Sequence, residues 1–252
     1  MTRTVLITGA AGGMGLEALR LLARRDVNVV CVDLDRSLVA RAIEDVGFHE
    51  GRAVAVGADV SDDNAVRAYV ALTVEMFGAL HGVFNIAGIE GDVVPITEAS
   101  VENFDRVMGV NARSVFLNMK YATPCLVAAG GGSIVSTGSY LATRGYPLCA
   151  SYGASKHAVV GITKSFALEV AKQNVRANVV APGATDTRMM RATFEAFPGG
   201  AAAAEAGLIA AIPQHRMADP AEIAATGIWL LLDAPSHITG QVLRIDGGLS
   251  AA

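Results

Sequence analysis

The chain has 252 residues, 27 of them glycine, with 52% hydrophobic and 17% charged side chains and a net charge of −4. So apolar a composition excludes a disordered chain, the length excludes a disulfide-stapled miniprotein, and the glycines follow no collagen-like period. With 20 basic against 24 acidic residues and no long run of either sign, neither nucleic acid nor an anionic membrane is an expected partner.

Apolar runs of strand length recur along the chain: Thr4 to Thr8, Val27 to Val32, Ala53 to Val56, Gly82 to Ile86, Ser133 to Ser136, Val175 to Ala181 and Gln241 to Ile245. Helical spacing fills the intervals, from about Met14 to Arg25, Ser37 to Val46, Asp62 to Phe77, Val101 to Ala129, Tyr152 to Lys172 and Pro220 to Leu232. Strands apolar on both faces and separated by helices imply a parallel sheet covered on both sides. No repeat or Pro/Ser-rich linker divides the sequence, which predicts one doubly wound α/β domain over residues 1–252. The segment from Thr187 to Gln214 breaks the rhythm, because Phe197-Pro198-Gly199-Gly200 interrupts a helix that the following alanines favour. A peripheral helical hairpin is the plainer expectation there. A mobile lid over a ligand site is the sharper one, and one segment can be both.

Cys31, Cys125 and Cys149 are an odd number of thiols within or beside apolar segments. Buried, reduced side chains are expected, as in the cytoplasm. No apolar run approaches the ~18 residues of a membrane span, and the first strand shows no secretory segment before it. The expectation is a soluble protein that is not exported.

The first strand runs into Thr8-Gly9-Ala10-Ala11-Gly12-Gly13-Met14-Gly15, and an amphipathic helix follows. Glycines at 9, 13 and 15 permit a tight turn and let the backbone around Met14 approach a pyrophosphate at the positive helix N-terminus. Asp33 ends the second strand, 20 residues beyond Gly13. A carboxylate there accepts hydrogen bonds from the adenosine ribose and repels a 2′-phosphate, so the expected cofactor is NAD(H). The turn holds no Arg or Lys, and Leu34 stands where a phosphate binder would offer a base. The plainer alternative is that Asp33 caps the helix beginning near Ser37.

Tyr152 and Lys156 open a later helix at i and i+4, on one face. A phenol titrating near 10 must drop by about 2–3 units to exchange protons near neutrality, or about 3–4 kcal/mol. An ammonium about 5 Å away supplies about 3 kcal/mol at an effective dielectric of about 20. A chance Tyr-x-x-x-Lys is common enough to need support. Ser139 supplies it, at the carboxyl end of a predicted strand, where ligands of open α/β sheets bind.

These residues resemble the short-chain dehydrogenase/reductase family over nearly the whole chain: the Thr8 to Gly15 turn, Asp59-Val60, Asn85-Ile86-Ala87-Gly88, Asn111, Ser139, Tyr152, Lys156, Pro182-Gly183, and the stretch from Ile238 through Asp246-Gly247-Gly248. The resemblance implies Tyr152 as general acid/base, Lys156 as the group that lowers its pKa and binds the nicotinamide ribose, and Ser139 as the donor to the carbonyl. Asn111 corresponds to a fourth catalytic member whose backbone holds a water leading to Lys156. Asp59 and Val60 would contact adenine, Asn85, Ala87 and Gly88 would lie near the cofactor ribose, and Pro182, Gly183, Thr185 and Thr187 would orient the carboxamide. Ile86 and Gly138 depart from the family pattern, and Gly138 is expected to loosen the loop carrying Ser139.

The five histidines show no ligand spacing, so no metal site is expected, and His157 reads as an ordinary helix side chain. Glu90 and Asp92 are read first as solvated loop acids, and second as a border of the substrate mouth. Tyr140, Leu141, Tyr146 and Cys149, with Met189, Met190, Phe194 and Phe197 from the suspected lid, suggest a mainly apolar pocket. The leading expectation is an NAD(H)-dependent enzyme interconverting a secondary alcohol and a ketone, assembled as a homotetramer or homodimer through its apolar C-terminal helix and the segment after Ile238. Two alternatives stand beside it: an NADPH-dependent reductase of 3-oxoacyl thioesters on a carrier protein, and a nucleotide-binding regulator without catalysis.

Overall fold

In the computed structural model, residues 2–251 are described. Seven strands form one parallel sheet in the order β3-β2-β1-β4-β5-β6-β7. They are β1 (Arg3–Thr8), β2 (Val27–Asp33), β3 (Ala53–Gly57), β4 (Gly82–Asn85), β5 (Gly132–Thr137), β6 (Val175–Pro182) and β7 (Val242–Ile245). The helices are α1 (Gly13–Ala23), α2 (Arg36–Val46), α3 (Asp63–Phe77), α4 (Val101–Met108), α5 (Ser114–Ala128), α6 (Ala150–Val170), α7 (Arg188–Ala196), α8 (Ala201–Ala211) and α9 (Pro220–Ile228). This is a doubly wound, Rossmann-like α/β fold. The β1 strand lies between β2 and β4, so the chain winds outward in both directions and opens a crevice at their carboxyl ends.

Alternation along β1 explains both layers. Val5 and Ile7 join Leu19, Leu22, Ile223 and Ile228 on one face, while Leu6 joins Tyr69, Leu126 and Val159 on the other. All of these side chains are buried, so the strand reads as continuously apolar. Helix starts follow local chemistry: the Asp62 side chain accepts from Ala65 N at 2.7 Å, and Ser100 from Asn103 N at 3.1 Å. Asp219 and Glu222 form a reciprocal capping box ahead of α9, with Pro220 at its first turn. The cap of α2 is Asp35, which accepts from Ser37 N at 2.7 Å, so Asp33 is not the capping residue.

Two predicted helices are broken by wide turns. Gly109–Arg113 is a π-turn between α4 and α5, and Trp229–Asp233 is another after α9. One inserted residue leaves the apolar period nearly intact, which is why the sequence reads as continuous. Between Thr187 and Gln214, α7 and α8 form the expected hairpin, turned by Gly199 and Gly200 at φ +97° and +89°. Cys31 and Cys149 are buried, but Cys125, on α5, is only half-buried. Among the described residues no helix is long and apolar enough to cross a membrane.

Candidate active site

The turn after β1 is built from contacts that only glycine permits. Gly9 takes φ +70°, and a Cβ there would stand 2.7 Å from the Ala87 amide nitrogen. At Gly15 a Cβ would stand 2.1 Å from the Gly9 carbonyl oxygen. Gly13 is different: its added Cβ would meet the Thr187 side chain at 3.4 Å and that of Pro220 at 3.9 Å, both ordinary contacts, so packing does not demand glycine and the bare backbone is left facing Thr187. Asp33 borders the turn, one oxygen accepting from Ala11 N at 3.0 Å and the other from Leu34 N at 2.8 Å. A carboxylate has about four acceptor positions, leaving capacity for hydroxyl donors. Leu34 is 74% exposed beside it.

At the end of β4, Asn85 is buried and donates from Nδ2 to Ser136 Oγ at 3.2 Å, while its Oδ1 has no partner. Thr137, whose Oγ1 is also buried and has no partner among the described residues, lines the cavity described below. On the outer side of Asp33, Ala58 N bonds to the Asp33 carbonyl. Asp59 is exposed and accepts from the Ser61 amide and hydroxyl, and Val60 is buried in the core. A bare phosphate-sized turn, a bordering carboxylate and orphaned polar atoms along the crevice fit a nicotinamide dinucleotide.

The β5 strand delivers Ser139 to the same crevice, and α6 brings Tyr152 and Lys156 to it from beneath. Lys156 Nζ donates to the Thr137 carbonyl at 2.9 Å and lies 5.4 Å from the Tyr152 ring centroid. Asn111, in the π-turn, is buried. Its Oδ1 accepts from Ile89 N at 2.8 Å, and its Nδ2 donates to the Ile89 carbonyl at 2.8 Å and to Ser155 Oγ at 2.9 Å. A Cβ at Gly88 would stand 3.2 Å from Asn111 Oδ1 and 3.5 Å from Lys156 Nζ. Gly138 does not loosen the Ser139 loop as expected: its amide donates to the Val180 carbonyl at 2.7 Å, and a Cβ would stand 2.7 Å from Val179 Cγ1. Glycine there is the condition for close approach to β6.

Burial dominates the electrostatics. It lowers the Lys156 pKa to about 8, with the Glu90 charge opposing. Burial, followed by the Glu90 charge, holds the Tyr152 phenol above its ordinary range, while the Ser139 hydroxyl pulls the other way. The lowering expected from Lys156 is not among these effects, of which burial is the largest. Of the two readings of Glu90, the geometry fits the border of the substrate mouth: it is half-buried on the cavity wall, and burial raises its pKa to about 7. Asp92 is exposed and off that wall, and His157 is exposed with Nδ1 2.9 Å from the Gly153 carbonyl.

The cavity encloses about 260 Å³. Gly88, Ser139, Tyr152 and Lys156 lie at its reactive end, while Met14, Pro182, Gly183, Thr185 and Thr187 form the wall toward the glycine turn. Glu90, Tyr140, Leu141, Tyr146 and Cys149 also line it, with Tyr140, Leu141 and Cys149 clustered against Tyr152, and Met189, Met190, Phe194 and Phe197 come from the hairpin. Tyr146 meets Phe197 edge-on, with centroids 5.9 Å apart, closing the wall against the roof. Gly9, Gly13, Gly15, Asp33, Asp59, Val60, Asn85, Ala87 and Asn111 lie outside this lining: Gly13 and Gly15 in the first turn of α1, Asn111 in the π-turn, and the others at or just past strand ends. Thr193 and Leu208 also line the cavity and were missed. Ala204, one helical turn before Leu208 on α8, lines the cavity as well, so the i, i+4 spacing of the two is a signal that could have found them.

A family model described as enoyl-(acyl carrier protein) reductase matches residues 9–250. The chain is similar to cyclohexanol dehydrogenase of Acinetobacter sp. (strain SE19), at 36% identity over 249 residues, covering 99% of this chain and 95% of that one. Its structure is similar to the crystal structure of levodione reductase, with a TM-score of 0.94 and 35% identity over 99% and 98% of the two chains. It is similar also to that of NAD⁺-bound xylitol dehydrogenase, with a TM-score of 0.91 and 30% identity over 98% of each chain. The chain belongs to the short-chain dehydrogenase/reductase family.

Proposed function

We propose that the protein is an NAD(H)-dependent oxidoreductase that interconverts a secondary alcohol and a ketone, with Tyr152 as general acid/base. The observation that carries this reading is the convergence of Ser139, Tyr152 and Lys156 on one cavity beside a glycine turn bordered by Asp33. Gly9, Gly13, Met14 and Gly15 would hold the pyrophosphate, and Asp33 the adenosine ribose hydroxyls. Asp59 and Val60 would meet the adenine, Asn85, Ala87 and Gly88 the ribose side, and Pro182, Gly183, Thr185 and Thr187 the carboxamide. Bound there, the nicotinamide supplies a hydride acceptor in oxidation and a hydride donor in reduction.

Ser139 Oγ donates to the substrate oxygen, which Tyr152 Oη meets from α6. In ketone reduction the neutral phenol, favoured by its burial, gives its proton to that oxygen. In alcohol oxidation Oη receives the hydroxyl proton, and the Lys156 ammonium offsets the cost of the phenolate by about 3 kcal/mol at about 5 Å. Asn111 holds Ile89 by both backbone groups and so fixes Gly88 next to Lys156. The apolar wall and roof favour a hydrocarbon or ring skeleton and exclude water from the reacting carbon.

Residues 1–252 act in this reading as one domain, with 187–214 as a lid: α8 is apolar, yet none of its residues is buried. A homotetramer or homodimer is supported by exposed apolar side chains on α4, α5 and α6, Phe104, Phe116 and Leu168, the last 84% exposed. Trp229, just past α9, adds a smaller apolar patch near the C-terminal segment. Cytoplasmic residence is supported by three thiols that form no disulfide.

The test is a panel of secondary alcohols and ketones assayed with NAD(H) and NADP(H) by NAD(P)H absorbance. Higher kcat/KM with NAD(H) is expected. Turnover of no alcohol or ketone would refute the activity, and preference for NADPH on 3-oxoacyl thioesters would favour the carrier-protein reductase instead.

A further inference from the structure

Two charged side chains stand on the cavity wall, Lys156 and Glu90. The first belongs to the proton chemistry. The second passes no proton there, though its charge bears on both Tyr152 and Lys156, and its position is built rather than incidental. Asn111 grips the preceding residue, Ile89, at both its N–H and its C=O, each at 2.8 Å. Gly91 follows at φ +81°, packed so closely that a Cβ would stand 2.5 Å from Val107 Cγ2. A clamp before and a turn after hold Glu90 at the side of the cavity that also carries Tyr140 and Cys149.

We propose that Glu90 is a specificity-determining residue that accepts a hydrogen bond from a second hydroxyl group of the substrate, so that the preferred substrates are diols and the corresponding hydroxyketones. This rests on the oxidoreductase reading above and adds the substrate class. The Lys156 charge acts on the carboxyl group through space, and the side chain that hydrogen-bonds it is the Cys149 thiol, a weak donor. Most of the acceptor capacity of Glu90 is therefore unused, on a cavity that is mainly apolar away from Ser139, Tyr152 and Lys156, at a desolvation cost visible in its raised pKa. A hydroxyl donor offsets that cost; a bare methylene leaves it standing. In oxidation the reacting carbon gives its hydride to NAD⁺ and its hydroxyl proton to Tyr152 Oη, while the second hydroxyl remains unchanged on Glu90.

The experiment compares cyclohexane-1,2-diol, as separate cis and trans isomers, with cyclohexanol, a pair differing by one hydroxyl. Steady-state kcat/KM with NAD⁺ is measured for the wild type, Glu90→Ala and the isosteric Glu90→Gln. For at least one isomer the wild-type ratio of diol to cyclohexanol should exceed the statistical factor of about two by about 10–150-fold, the range of a hydrogen bond to a charged group. Glu90→Ala should collapse that ratio to about the statistical value, and Glu90→Gln, which keeps an acceptor oxygen, should leave it in between. If Glu90→Ala fails to fold, a fall in the Glu90→Gln ratio still supports the assignment. A wild-type ratio at or below the statistical value, or one unchanged in the folded variants, overturns it while leaving the oxidoreductase reading intact. Absence of turnover on every alcohol and ketone overturns both.

Discussion

Replacing Asn111 with alanine tests how the site is held together. The side chain makes three hydrogen bonds from a buried position, two to Ile89 and one to Ser155 Oγ, at 2.8, 2.8 and 2.9 Å. If each lost bond costs about 1 kcal/mol, the variant is destabilised by about 3 kcal/mol, or about 6–12 °C in Tm for a chain of this size. Because the loss also frees the segment from Gly88 to Gly91, kcat should fall more than 10-fold, an estimate based on the sensitivity of catalysis to a misplacement of about 1 Å. Thermal unfolding followed by circular dichroism reads the first effect, and steady-state kinetics well below Tm reads the second. A Tm within 2 °C of the wild type, or normal kcat in a folded variant, would refute this account of the clamp.

Tyr152→Phe removes the proton-transferring oxygen, so turnover should fall by at least about 10²–10⁴-fold, while NADH affinity measured by fluorescence stays within about threefold. Substantial residual turnover would exclude Tyr152 as the acid/base. Asp33→Ala deletes the expected ribose acceptor and an anchor of the Ala11 amide; the kcat/KM preference for NAD⁺ over NADP⁺ should fall by about 10–150-fold, and an unchanged preference would remove Asp33 from cofactor selection. The Glu90 pKa is raised from 4.5 to about 7, so between these pH values the folded chain holds a proton that the unfolded chain has released. Stability therefore falls as pH rises through that window, whereas Glu90→Gln lacks this contribution. The wild-type Tm should drop relative to that of the variant between pH 4.5 and 7, and a constant difference would show that Glu90 is not desolvated.

The sheet was legible because β1, β2 and β6 are buried on both faces, and continuous apolar runs are what such strands require. The crevice was legible too, since glycine at 9 and 15 is imposed by backbone contacts and leaves a local mark. What escaped reading depends on contacts far apart along the chain. Asn111 reaches Ile89, 22 residues away, through a π-turn that alters the apolar period very little. The sequence leaves Glu90 between a solvated loop acid and a border of the substrate mouth because nothing local announces that its neighbour is clamped and that Gly91 turns the chain against Val107. Gly138 looked like a source of looseness for the same reason: its tight partner, Val179, belongs to another strand.

The hydrogen bond from Lys156 Nζ to the Thr137 carbonyl ties the helix carrying Tyr152 to the strand that delivers Ser139. The spacing of the two groups that handle the substrate oxygen is thus set within one seam of the molecule. The hairpin of α7 and α8 stands outside that seam, and α8 buries none of its residues in the core. Changes in residues 201–211 can therefore reshape what enters the cavity while leaving the proton-handling geometry and most of the folding energy untouched. In such an architecture a lineage can acquire a new substrate by repainting its outermost helix, and a protein engineer can begin at the same place.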